Sequence, residues 1–316
     1  MADRFLITGG AGFIGSNIAQ RLIDRGHYVT VIDNFFTGRR ENLSQAGESD
    51  RFRLIEADIR NIDAVREACR DVDFVLHEAA VPSVPRSIED PIGTNEVNVD
   101  GTLNVLKACV ENKVKRLVYA ASSSAYGDTA VLPKKEDMIP SPLSPYAVTK
   151  LTGEYYCRVF TDIYGLETVS LRYFNIFGPR QDPNSQYAAV IPRFITAMLK
   201  GEGPVVYGDG EQSRDFTYIE NVIDANVGAC YAPRAAAGRV FNVACGTGYT
   251  LNALLGMLEK IMNKKAGQRY LPSRKGDVRH SRADIAGAAE YIGYRIAVGF
   301  EEGLKRTVAY FASLVA

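Results

Sequence analysis

The sequence predicts an α/β fold, a doubly wound parallel sheet followed by a smaller mixed α/β C-terminal substrate domain. Three observations carry this expectation. Short apolar, β-branched runs alternate with helical patterns through roughly the first half of the chain. The first run, Arg4–Thr8, opens directly into a glycine-rich turn. From Asn175 onward the alternation loosens into short helices and brief strands. Strands covered by helices on both faces read as near-continuous apolar runs, and these do.

Taken in order, Arg4-Phe5-Leu6-Ile7-Thr8 is a buried strand that runs into Gly9-Gly10-Ala11-Gly12-Phe13-Ile14-Gly15. A helical pattern continues from Ile14 through Ile18, Leu22 and Ile23. Strand, glycine turn and helix in that order give a Rossmann-type dinucleotide fingerprint. Gly9 allows the tight turn, Gly12 lets backbone amides approach a pyrophosphate, and Gly15 lets helix and strand pack closely. Phe13 and Ile14 stand in the first turn, at the positive end of the helix dipole. The second strand, Tyr28–Ile32, ends in Asp33, whose carboxylate can accept both hydroxyls of an adenosine ribose and would repel a 2′-phosphate. NAD is therefore expected over NADP, with Arg39 and Arg40 read as a solvated loop pair. Asn34 adjoins that acid. Asp58 and Ile59 follow the third strand (Arg53–Glu56), where Asp58 either forms a turn or touches the adenine. After a helix over Ile62–Cys69, the fourth strand, Phe74–His77, leads to Glu78-Ala79-Ala80, small residues at Ala79 and Ala80 past which a cofactor backbone can run.

A helix is expected from about Thr94 to Glu111, then a fifth strand, Arg116–Ala121, closing on Ser122-Ser123-Ser124. The carboxyl ends of parallel strands are where open α/β sheets bind ligands. A proline-rich loop leads to the helix Tyr146–Tyr164, and Thr168–Tyr173 is the sixth strand. The expected division is 1–175 for NAD and 176–316 for substrate, part of 215–243 returning to the sheet. The second part carries helices over Ile191–Leu199, Glu220–Tyr231, Leu251–Ile261 and Glu301–Phe311.

Lysine plus arginine equals aspartate plus glutamate, 37 of each, so no net field favours nucleic acid or an anionic membrane. No apolar run approaches the roughly 18 residues of a membrane span. The first strand starts four residues from Met1, leaving no room for a targeting peptide, and a cytoplasmic protein is expected. Cys69, Cys109, Cys157, Cys230 and Cys245 are odd in number and scattered, as expected of reduced core residues. His27, His77 and His280 lie far apart, and no metal site is expected.

Tyr146 and Lys150 are spaced i, i+4 and share one helix face. A tyrosine with its ordinary pKa near 10 is a poor base at pH 7. The Lys150 ammonium together with the positive nicotinamide ring would favour the phenolate; lowering the pKa by ~3 units takes ~4 kcal/mol. With this glycine turn, serine run and Tyr146–Lys150 pair, the chain resembles the extended short-chain dehydrogenase/reductases that act on nucleotide sugars. It is most similar to UDP-hexose 4-epimerases, and among them to those acting on UDP-N-acetylglucosamine. The stretches that carry the resemblance are TGGAGFIG, the serine run before Tyr126-Gly127, Ser144-Pro145-Tyr146 with Lys150, and Leu171–Gly178. Gly208-Asp209-Gly210, Arg214-Asp215-Phe216 and Arg274-Lys275-Gly276-Asp277 complete them.

The resemblance implies NAD as cofactor, with Tyr146 as base and acid and Lys150 holding the nicotinamide ribose. Asn98 and Tyr173 would line the nicotinamide side. A serine hydroxyl would bond the sugar O4: Ser122, counted four residues back from Tyr126, or Ser123, since the run is one residue shorter than in galactose epimerases. Asn175, Arg214 and Arg274 would hold the diphosphate, Asp277 the uridine ribose, and Ala189-Val190 with Arg193 the uracil. Arg86 and Tyr207 join the substrate contacts, and Ser281 takes the position of the gate beside the sugar C2 substituent. The implied reaction is 4-epimerisation of a UDP-hexose, by hydride abstraction from C4 through a 4-keto intermediate. UDP-N-acetylglucosamine and its galacto epimer are the expected pair, with UDP-glucose and UDP-galactose also turned over. UDP-glucuronate 4-epimerase, another nucleotide-sugar reductase and a non-catalytic NAD-binding redox sensor are the alternatives. A homodimer through a four-helix interface is also expected. The helix from Tyr146 is apolar on two sides, and Val97, Val105 and Leu106 offer the other half.

Overall fold

The computed structural model describes residues 2–183, 189–273 and 278–315. Seven parallel strands form one sheet. Six are β1 (Arg4–Thr8), β2 (Tyr28–Asp33), β3 (Phe52–Glu56), β4 (Phe74–His77), β5 (Arg116–Ser122) and β6 (Glu167–Tyr173), and the seventh is Arg239–Val243. Their order across the sheet is Arg239–Val243, β6, β5, β4, β1, β2, β3. Strand order therefore reverses between β1 and β4, and a crevice opens at the carboxyl ends of those two strands. The predicted doubly wound parallel sheet is the architecture found.

Side-chain alternation explains the burial. Phe5, Ile7, Val29 and Val31 face one side of the sheet, under α1 (Phe13–Asp24) and the helix Ile219–Tyr231. Leu6, Ile32, Val75 and Leu117 face the other, under Val105, Leu106, Cys109 and Cys157 from the helices Gly101–Glu111 and Pro145–Tyr164. Two covered faces leave no polar stripe along a strand, hence the continuous apolar runs. Residues 219–243 lie on this sheet, as a covering helix and its seventh strand. Three two-stranded ribbons lie past β6: Ile176–Phe177 with Thr217–Tyr218, Ser213–Asp215 with Gly248–Thr250, and Val205–Tyr207 with Arg269–Leu271.

Two elements differ from expectation. The helix expected from Thr94 to Glu111 begins at Pro91, and a π-turn over Glu96–Asp100 interrupts it before it resumes at Gly101. That widened turn points Asn98 inward, where its carboxamide clamps the backbone of Val81. Val105 and Leu106 are wholly buried in their own core and cannot supply an interface. The apolar surface beside the helix Pro145–Tyr164 comes instead from Ile88 and Ile92, both largely exposed. All five cysteines are free thiols. Among the described residues no helix is long and apolar enough to cross a membrane.

Candidate active site

The glycine turn is held by its own backbone. Gly9 sits at φ +68°, the left-handed region that favours glycine, and donates to Ile32 O at 2.8 Å. A Cβ at Gly9 would stand 2.7 Å from the Ala79 backbone, so β1 and β4 meet only because that carbon is missing. A Cβ at Gly15 would lie 2.5 Å from Gly9 O, which ties α1 tightly to the turn. No side chain caps α1, leaving its first-turn amides to a ligand. Asp33 is buried, and its two oxygens accept the Ala11 amide at 2.8 Å and the Phe35 amide at 2.7 Å. Burial pushes its pKa up while those two amides oppose the shift. Each carboxylate oxygen keeps further acceptor capacity for a ribose hydroxyl.

Neither arginine of the following loop turns to that acid. Arg39 pairs with Asp182 at 2.8 Å, and Arg40 pairs with Glu56 while lying over the Phe35 ring. Asn34 donates to Asp58 at 2.8 Å, and Arg60 forks onto the same carboxylate and holds its pKa below the usual range. Ile59 packs under Gly101. Uncapped amides, a glycine cradle that a Cβ would fill, and a buried acid at the end of β2 together fit a dinucleotide.

Behind the cradle runs a chain of hydrogen bonds absent from the sequence reading. Thr8 Oγ1 accepts from the Ala79 amide at 3.2 Å and bonds His77 Nδ1 at 2.7 Å. His77 Nε2 bonds Thr102 Oγ1 at 2.9 Å, and that hydroxyl donates to Asn98 O at 2.6 Å. Because the Thr102 proton goes to a carbonyl, His77 carries its own proton on Nε2 and accepts on Nδ1. Burial pulls His77 down to about 3, so it stays neutral. Asn98 Nδ2 also donates to Thr149 Oγ1 at 3.0 Å, so its side chain is held within the protein.

The helix Pro145–Tyr164 starts with Ser144 accepting the Ala147 amide and Pro145 in the first turn, a strong start signal. The Tyr146 amide is anchored on Ser87 Oγ at 3.0 Å. One turn on, Lys150 is buried, and its ammonium donates to Ala120 O at 2.8 Å. Burial draws Lys150 down to about 8. Ser122 ends β5 and accepts two bonds from Ser124 (amide 3.2 Å, hydroxyl 2.8 Å). With both of these bonds accepted from Ser124, the Ser122 hydroxyl keeps its own proton to donate. Ser123 lies in the short turn that follows.

The protein's own contribution to Tyr146 is opposite in sign to the expected shift. Burial raises the phenol, the Ser122 hydrogen bond lowers it, and the Glu78 carboxylate raises it again, leaving it above its ordinary value. A buried phenolate loses hydration, and that loss outweighs one hydrogen bond. Glu78, read from sequence only as part of a passage, is a buried carboxylate at this edge. It accepts from the Tyr173 hydroxyl at 2.8 Å, and Asn226 Nδ2 donates to that hydroxyl at 2.8 Å. No local spacing links residues 78, 173 and 226; the sheet order and the helix Ile219–Tyr231 packed on it join them.

Six of the predicted substrate residues, Asn175, Ala189, Val190, Arg193, Tyr207 and Arg214, line one cavity of about 240 Å³. Phe177, Phe216 and Leu251 give it apolar walls. Asn175 takes a left-handed backbone, φ +39°, and donates to Asp215 O at 3.0 Å. Gln212 also lines the cavity and was missed by sequence. The Ser281 amide donates to Ser213 O at 3.1 Å, beside Arg214. Arg86 is elsewhere: its guanidinium lies over the exposed Phe36 ring, 5.1 Å from the centroid. Arg274 and Asp277 lie outside the described residues.

A glycine-turned parallel sheet with a Ser–Tyr–Lys cluster at its carboxyl edge defines a nicotinamide-dinucleotide enzyme of the short-chain dehydrogenase type. The chain belongs to the NAD dependent epimerase/dehydratase family, whose sequence model matches residues 5–244. A solved UDP-N-acetylglucosamine 4-epimerase from Methanobrevibacter ruminantium is 42% identical, with a TM-score of 0.95, 99% of this chain and 100% of that one being covered. The UDP-glucose 4-epimerase of Mycolicibacterium smegmatis is 36% identical over 310 residues, 98% of each chain. The UDP-glucuronic acid 4-epimerase of Bacillus cereus, solved with UDP-glucuronic acid and NAD, is 34% identical with a TM-score of 0.92, over 98% of this chain and 99% of that one. NAD is the cofactor of this family.

Proposed function

We propose that this enzyme is a UDP-sugar 4-epimerase whose preferred pair is UDP-N-acetylglucosamine and its galacto epimer, with UDP-glucose and UDP-galactose also turned over. The observation that carries the reading is Tyr146 with Lys150 buried one helical turn on and fixed on Ala120 O, in a chain whose Ser122 closes β5 at the same carboxyl edge. When bound along Gly9, Gly12 and Asp33, NAD supplies a reversible hydride acceptor for the sugar C4. Tyr146 takes the proton of the 4-hydroxyl and later returns it. Ser122 donates to the same oxygen and orients the hydroxyl. Lys150, fixed on Ala120 O, holds a positive charge one turn along the helix. The cavity anchors the nucleotide while the 4-keto sugar turns about its diphosphate linkage and presents its other face, so net redox is zero.

The residues after Ser122 are Ser123, Ser124 and Ala125, with no carboxylate to move further protons, which disfavours a 4,6-dehydratase or decarboxylase. The Bacillus cereus relative makes UDP-glucuronate the second reading. Ser281 favours the N-acetyl sugars, because a small side chain beside C2 leaves room for an acetamide. The helix Pro145–Tyr164 also leaves Val148, Tyr155, Val159 and Ile163 exposed, and we infer that a second copy covers them together with Ile88 and Ile92. An NMR time course with the four UDP-sugars (N-acetylglucosamine, N-acetylgalactosamine, glucose and glucuronate) tests the function. Appearance of 4-epimers is expected, fastest with the N-acetyl sugars. Retention of all four sugars unchanged would sink the epimerase reading.

A further inference from the structure

Ser281 lies on a strand that backbone pairing alone does not hold. Residues 279–283 run beside Ser213–Asp215 in a parallel bridge: the Ser213 amide donates to Arg279 O at 3.0 Å, and the Ser281 amide to Ser213 O at 3.1 Å. Two residues on, the same register would bring the Ala283 amide to the Asp215 carbonyl. That carbonyl accepts Asn175 Nδ2 instead, at 3.0 Å. The Ala283 amide donates to the Asp215 carboxylate at 3.1 Å, and the other carboxylate oxygen accepts the Cys245 amide at 2.8 Å. Asp215 is wholly buried, and Arg214 and Phe216 on either side of it line the nucleotide cavity. A buried carboxylate is costly unless donors meet its oxygens, and here a backbone amide meets each.

We propose that Asp215 is a positioning residue for sugar discrimination, its carboxylate fixing the strand of Ser281 against the wall of the nucleotide cavity. The proposal rests on Ser281 being the gate. On its other edge that strand is held by Lys134, whose amide donates to Arg282 O and whose carbonyl accepts the Asp284 amide, both at 2.8 Å. Without the Asp215 carboxylate, residues 282–284 keep that neighbour, so the strand leans toward Lys134 rather than unravelling. Ser281 sits between the two attachments to the ribbon, one at Ser213 O and one at Asp215, and losing the second frees it on one side. Arg214 stays with the other end of the strand, donating to Ser213 O at 3.0 Å and to Arg279 O at 3.4 Å. Val190 and Arg193 belong to the helix Val190–Leu199, an element separate from this ribbon. The carboxylate therefore acts on the gate more than on the nucleotide.

Asp215→Asn keeps the shape and one acceptor oxygen but turns N–H groups toward one of the two amides. A second variant leaves the carboxylate in place: an ester at the 282–283 peptide, made with the α-hydroxy analogue of alanine, removes only the Ala283 amide proton. It carries the test alone if Asp215→Asn does not fold. Burial pushes the Asp215 carboxyl up to about 6, so the NAD-loaded enzyme is measured well above that pH. A Tyr146→Phe background keeps bound sugars from turning over. Hydrogen exchange across 279–284 should quicken about tenfold in both variants, the scale of one lost charge-assisted hydrogen bond. By calorimetry UDP should bind within about twofold of the parent, while the ratio of affinities for UDP-N-acetylglucosamine and UDP-glucose falls about threefold or more. Parental exchange in both variants overturns the proposal, as does faster exchange with an unchanged ratio. Equal loss of affinity for UDP and both sugars also overturns it, since Asp215 would then only support the cavity. A parental ratio in Ser281→Tyr would refute the gate reading by itself, and the Asp215 variants are still judged on their own exchange and ratio.

Discussion

Alanine at Gly15 and alanine at Gly12 should fail in different ways, and the difference tests how the glycine turn works. A Cβ at Gly15 would stand 2.5 Å from Gly9 O and 2.8 Å from Gly10 Cα, both backbone atoms that no rotamer change can clear. Ordinary contact begins at 3.4 Å, so α1 must retreat by roughly 0.9 Å from β1. Overpacking of this kind costs ~1–3 kcal/mol, and each kcal/mol lowers Tm by roughly 2–4 °C in a domain of this order of size. At Gly12 the new carbon meets one atom, Gly9 O, at 3.2 Å, and Gly12 has an extended backbone that any residue adopts. Stability should then change little, but the methyl stands where backbone amides open toward a pyrophosphate. Gly12→Ala should weaken NAD by about tenfold or more, ~1.4 kcal/mol, at a nearly parental Tm. Gly15→Ala should lose both stability and NAD affinity. Scanning calorimetry without added NAD and isothermal titration with NAD read the two quantities separately. Equal loss of Tm in both variants, or parental NAD affinity in Gly12→Ala, would refute the division of labour.

Three further outcomes follow from the site. Tyr146→Phe keeps the ring and removes the ionisable oxygen, so epimerisation should fall by roughly 10²–10⁴-fold with nucleotide-sugar binding little changed; near-parental turnover would move the base to the serine run. Ser281→Tyr should lose turnover of N-acetylated sugars and keep that of UDP-glucose, since overfilling a pocket costs ~1–3 kcal/mol; equal handling of both sugars by the variant would remove Ser281 from the gate. Multi-angle light scattering at micromolar concentration should give twice the monomer mass, and Ile163→Glu should halve it, because that residue is 71% exposed and its charge would be buried on pairing. A monomeric parent would leave the exposed stripe without a second copy.

What could be read from sequence was local. The glycine turn, the acid closing β2, and Tyr146 with Lys150 are patterns a few residues long, whose geometry follows from strand, turn and helix periodicity alone. The same holds for the apolar runs that specify a doubly wound sheet, and for the start of the helix at Ser144-Pro145. Tertiary structure decided everything that depends on which strands adjoin. Glu78 reads as a link in a small-residue stretch until β4 lies beside β5 and Tyr173 arrives from 95 residues away. The partners of Arg39 and Arg40 are Asp182 and Glu56, and no spacing rule pairs them. Val105 and Leu106 carry an apolar pattern equally suited to core or interface, and only packing against Leu117 and Val75 assigns them to the core. Periodicity gives the direction of a side chain relative to its own element. What that side chain meets depends on long-range contacts, as where Tyr173 closes on Glu78 and Asn226 on Tyr173.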